Sequence, residues 1–165
     1  MTTTTKNKLF FRAPSEPDLG LIEGPESIKD LVLHSDNAAW KTGSGDAPLV
    51  YKSAKRESEI CLMCRMPYGM IVTHKFHKED SEDPSLYVAL LSKDSNEDIS
   101  LWVGGNFSLF PRAFFLCREL AWEIIRDFCK DGSRSDKAIW MKYLKACKLK
   151  VNRGDDAEHI YGEPY

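Results

Sequence analysis

The middle of the chain alternates between two kinds of residue. Met70, Val72, His74 and Phe76 interleave with Ile71, Thr73 and Lys75, and Ile99, Leu101 and Val103 interleave with Ser100 and Trp102. A period of two sends each set to its own face of a strand. Glu59 to Arg65 predicts the preceding strand, ended by Pro67 and Gly69. Leu86 to Leu91 is an unbroken apolar run, the pattern of a central strand covered on both faces. Polar connections at Glu79–Pro84 and Lys93–Asp98 are short, so the strands are expected to follow one another as an antiparallel meander.

Elsewhere the period changes. Ala113, Cys117, Leu120, Ala121, Ile124 and Phe128 recur at helical spacing, with Arg112, Glu119, Glu123, Arg126 and Asp127 largely on the other side. This predicts one long helix from Pro111 to Lys130, with proline at its start and Gly132 just past its end. Pro25 to Leu33 predicts a short helix, Leu9-Phe10-Phe11 an edge strand, and residues 34–48 a loop. Ala138 to Met141 reads as a last strand or a short helix. The fold class is α+β: an antiparallel meander packed by one long amphipathic helix and a short N-terminal helix. A single domain over 1–147 is followed by a polar tail over 148–165, where the apolar periodicity stops.

Composition adds bounds. The 165 residues are 42% hydrophobic and 29% charged, an ordinary globular balance. Apolar runs are too short for a membrane span, and Met1 to Lys6 lacks the apolar centre of a secretory signal. Five cysteines, Cys61, Cys64, Cys117, Cys129 and Cys147, are an odd number placed in apolar segments. They fit a reducing cytoplasm better than a disulfide scaffold. The net charge is only −2, but it is unevenly placed. Seven acids face two bases over His77–Ser100, and six bases (Lys137, Lys142, Lys145, Lys148, Lys150, Arg153) face one acid over Asp136–Arg153. The acidic region is suited to steering a basic partner.

Candidate chemistry is thin. Cys61 and Cys64, followed by His74 and His77, have zinc-ligand spacing, but an odd separation on a strand points the two thiols to opposite faces. His77-Lys78-Glu79 matches half of a zinc-deaminase signature, yet the Pro-Cys-x-x-Cys half is missing downstream. Gly104-Gly105 follows a strand and precedes the predicted helix, which fits a tight bend better than an anion site.

One stretch resembles a known family. Leu101-Trp102-Val103-Gly104-Gly105, a helix ending Glu123-Ile124-Ile125-Arg126-Asp127-Phe128, then Gly132 and Ala138-Ile139-Trp140, is similar to the C-terminal pattern of a bacterial immunity-protein family. Its members are encoded beside secreted polymorphic or contact-dependent inhibition toxins, often nucleic-acid deaminases. This chain is longer at both ends. The resemblance implies a cytoplasmic protein that binds a cognate toxin and blocks substrate access. It implies no catalytic residue, cofactor or metal, and no nucleic acid or membrane as partner. Gly104, Gly105, Phe128 and Trp140 would hold the fold. The expected toxin contact is acidic: Glu79, Asp80, Glu82 and Asp83, with Asp94, Glu97 and Asp98 as a second loop. Two other readings stand beside it. One is a nucleic-acid-binding or regulatory module using the basic segment 137–153. The other is a small enzyme of unrecognised type, with His74, His77 and Glu79 as first candidates.

Overall fold

In the computed structural model, residues 7–77, 85–95 and 97–149 are described. Their strands are β1 (Lys8–Phe11), β2 (Gly20–Ile22), β3 (Ala47–Lys52), β4 (Glu57–Arg65), β5 (Gly69–His77), β6 (Leu86–Leu90), β7 (Asp98–Val103), β8 (Asn106–Pro111) and β9 (Ile139–Lys142). The helices are α1 (Lys29–His34), α2 (Asn37–Trp40), α3 (Arg118–Asp131) and α4 (Tyr143–Ala146). Seven strands form an antiparallel sheet in the order β2-β1-β3-β4-β5-β6-β9, while β7 and β8 pair only with each other. The α+β class read from the sequence is the one observed.

Strand alternation builds two cores, one on each face of the sheet. Ile60, Leu62 and Cys64 of β4, Met70 and Val72 of β5 and Ala89 of β6 point to one face. There they meet Val32, Trp40, Ala121, Ile124, Ile125 and Phe128 of the helices. Met63, Ile71, Val88 and Leu90 point to the other face and meet Ile99, Leu101, Phe110, Phe114, Phe115 and Ala146. The sheet is therefore the middle layer, with α1, α2 and α3 on one side and the β7–β8 hairpin and α4 on the other.

Two residues at the ends of α3 fix the helical layer. Arg118, buried at the start of α3, donates to Val32 O at 3.3 Å and to Ser35 O, carbonyls at the end of α1. Such carbonyls have no partner within their own helix, and a cation is favoured there. At the other end of α3, Gly132 takes a left-handed φ of 74°, and its N–H donates to Phe128 O at 2.7 Å. A Cβ there would lie 2.5 Å from Ser58 Oγ and 2.6 Å from Tyr51 Cδ1.

Several elements differ from the sequence reading. The long helix begins at Arg118, not Pro111; Pro111 ends β8 with extended dihedrals. A proline that suits a first helical turn suits the end of an edge strand equally well. Gly104-Gly105 is the bend between β7 and β8, with φ of 59° and 83°, and so precedes a strand. Two positive φ values make a tight hairpin whose second strand returns on the first, which takes β7 out of the meander. The place beside β6 goes to β9. Leu9-Phe10-Phe11 lies in β1, inside the edge strand β2. Residues 34–48 include α2, capped by the Asp36 side chain accepting from Ala39 N, and the first residues of β3. Cys147–Leu149 adds a short 3-10 turn where the tail was expected to begin; the rest of that tail lies outside the described residues. Among the described residues no helix is long and apolar enough to cross a membrane.

Candidate functional site

The seven acids proposed as a partner-binding set fall in two places. Glu79, Asp80, Glu82 and Asp83 lie outside the described residues. Their segment joins β5 to β6 before Leu86, whereas Asp94, Glu97 and Asp98 follow Leu90 at the strand's other end. Four strand steps place those ends about 13 Å apart.

The second loop is stapled to the hairpin layer. Leu91 N donates to Ala113 O at 2.8 Å, and Arg112 N donates to Glu97 O at 2.8 Å. Ala113 N donates to Ser95 Oγ at 3.2 Å, and Ser95 Oγ donates to Glu97 O at 3.2 Å. Ser92 Oγ closes the first turn by donating to Asp94 O at 2.6 Å. The backbone is thereby held on both sides while Asp94 and Glu97 are exposed. Asp98 is half-buried in β7 opposite Pro111 and belongs to the fold. Beside these acids Leu91 is 53% exposed on a fixed backbone. An apolar anchor flanked by charges is the composition of a protein-contact centre with a charged rim. Sequence reasoning missed Leu91, because it ends an apolar run that reads as strand. The serines at 92 and 95 were its available signal, since hydroxyls there close local turns.

The other candidates do not converge. Cys61 and Cys64 leave opposite faces of β4, as their odd spacing requires. The Cys61 thiol donates to Asp46 Oδ2 at 3.6 Å, and Cys64 lies 3.9 Å from the Arg118 guanidinium. Burial, with Asp46 and Glu59 adding to it, pushes the Cys61 pKa well up. Burial raises Cys64 to about 11 against the pull of Arg118, and raises Cys129 to about 12. Cys117, by contrast, is exposed at the start of α3. Alkylation at mildly alkaline pH should therefore modify Cys117 well before Cys61, Cys64 or Cys129, as read by peptide mass spectrometry. Equal rates at all four would contradict this burial pattern.

His74 is fully buried on the helix face, and His77 is exposed on the other, its Nε2 3.7 Å from Glu59. Glu79 lies outside the described residues, so no shared site is formed by the three among those described. Of the basic segment, Lys137 pairs with Glu123 at 2.6 Å and Asp127 at 3.4 Å on α3. Lys142, Lys145 and Lys148 are exposed, and Lys150 and Arg153 lie outside the described residues. Gly104 and Gly105 form the hairpin bend, Phe128 is buried in the helix-side core, and Trp140 packs on that core from β9.

Compared with known proteins, the chain matches no protein-family model, no curated protein and no solved structure.

Proposed function

We propose that this protein is a stoichiometric inhibitor: an immunity protein that binds a basic, nucleic-acid-targeting toxin in the cytoplasm and covers its active site without chemistry of its own. The observation that carries this reading is the 91–98 loop. Leu91, Ser95 and Glu97 are hydrogen bonded to Arg112 and Ala113, and Leu91, Asp94 and Glu97 are presented to solvent. Residues already held by such bonds lose little entropy on binding, which leaves more of the contact energy as affinity. Toxins that act on nucleic acid tend to carry positive surfaces because their substrates are polyanions. Exposed carboxylates then raise the encounter rate and select against acidic partners. The sequence resemblance at Leu101–Trp140 supports the same assignment.

The test is charge reversal. Asp94→Lys with Glu97→Lys should slow association with the toxin encoded beside this gene about three- to tenfold at low salt, and flatten the salt dependence of the rate. Stability should move by less than about 0.5 kcal/mol, because both side chains are exposed. An unchanged rate and salt slope would remove this loop as the contact.

A further inference from the structure

Beneath the turn after α3 lies a buried imidazole with one nitrogen engaged and the other without a partner among the described residues. His74 Nε2 donates to Gly132 O at 3.2 Å, sharing that carbonyl with Ser58 Oγ at 2.7 Å. Its Nδ1 has no hydrogen-bond partner among the described residues. Around the ring stand Phe76, Phe128 and Trp140, at centroid distances of 4.5, 5.9 and 6.0 Å, all edge-to-face. Trp140 belongs to β9, and its indole N–H donates to Ser135 O in the same turn at 2.8 Å. One side chain thus supports both the turn and the strand that follows it, and β9 lies at the end of the sheet.

We propose that His74 is an acid-sensitive latch: as the neutral imidazole it holds the α3–β9 turn and strand β9 on the sheet, and its protonation frees both. A second N–H at Nδ1 would be buried among aromatic rings with no acceptor among the described residues. Two positive charges, Arg56 and Arg134, also act against a charged imidazole. Arg56 donates to Asp131 O at 3.1 Å and Ser133 Oγ at 2.6 Å, and Arg134 lies 3.9 Å over the Tyr87 ring. Of the other groups facing this region, Tyr51 stacks edge-on against Phe128, and Tyr87 is the cross-strand neighbour of both His74 and Lys142. The acids are occupied: Asp127 is held by Lys130, Ser135 and Lys137, and Asp131 accepts from Ser133 N. Burial lowers the pKa of His74 from 6.5 to about 4 against the upward pull of its bond to Gly132 O, with Arg134 and Arg56 acting in the same direction as burial.

The sign follows from linkage. An opened state that gives His74 to water binds a proton at higher pH than the closed state does. The stabilising contribution is therefore whole above 6.5 and is lost as pH falls towards about 4. Opening of the turn should become about twentyfold more frequent between roughly pH 7 and pH 5.

Hydrogen exchange on the full chain, corrected for intrinsic rates, tests this. Amides of the α3–β9 turn and β9 should lose about that factor of protection on acidification, while amides of β4 and β5 keep theirs. In His74→Gln, which keeps a donor for Gly132 O but does not titrate, the acid-dependent loss should vanish. If the variant does not fold, the imidazole of the unaltered chain is followed by NMR instead, and its midpoint should lie near 4, where the loss of protection levels off. Acid loss shared equally by β4 and β5, an unchanged acid response in the variant, or an imidazole midpoint at 6.5 with the turn undisturbed would each overturn the latch.

Discussion

Phe128→Ala should lower the stability of the chain by about 3–5 kcal/mol, read from chemical denaturation. Phe128 is fully buried near the end of α3, packed edge-on against Tyr51 and His74 beneath it. Its removal opens a cavity between helix and sheet that these rings, fixed by their own strands, are poorly placed to fill. The loss of transfer energy and the cavity add. Leu120 is a useful contrast on the same helix. It is only partly buried against the core, so Leu120→Ala should cost less, about 1–2 kcal/mol. A small loss at Phe128, or a larger one at Leu120 than at Phe128, would mean that α3 presents a different face to the sheet.

Gly69→Ala should be comparably damaging, at about 2–5 kcal/mol, for a reason rooted in backbone rather than in apolar area. Gly69 opens β5 with φ of 116°, a conformation that strains any L side chain. A Cβ there would lie 2.0 Å from the carbonyl oxygen of Leu116 and 2.9 Å from its carbon. That carbonyl cannot simply move aside. It accepts from Met70 N at 2.8 Å while Leu116 N donates to Met70 O at 2.8 Å, the pair of bonds that anchors the chain just before α3. Either the bridge breaks or β5 shifts in the centre of the sheet. A variant with the stability of the unaltered chain would contradict this close approach.

The parts of the fold legible in the sequence are those where a local pattern and the tertiary structure agree. Met70 to Phe76 alternates because each face of β5 meets a different core, and Gly132 ends α3 where a left-handed residue was expected. The parts that escaped are those where one local signal serves two structures. Pro111, with Ala113 and Cys117 at helical spacing behind it, mimics a helix start. Yet Cys117 is exposed, and Phe114-Phe115-Leu116 is buried, the two phenylalanines in one core and Leu116 in the other. The strand Ala47–Lys52 was missed because Gly43, Gly45 and Pro48 are loop signals, although β3 is a central strand of the sheet. Which strand lies beside β6 depends on the positive φ values of a Gly-Gly bend and on a strand contributed from residue 139 onward, neither visible to a local window. The candidate site was half legible. Its charge was evident from Asp94 and Glu97, while its rigidity and its apolar anchor depend on hydrogen bonds to Arg112 and Ala113 made across the fold.

The proposal of a toxin-neutralising protein is tested most directly by mixing the purified chain with the product of the gene beside its own. Light scattering on the separated species and the toxin's activity on nucleic acid are then read from the same samples. The account predicts a one-to-one complex whose formation slows as salt is raised, and toxin activity that falls to background once one equivalent of this chain is present. Two proteins that elute separately at every ratio, or a complex in which the toxin remains fully active, would contradict it.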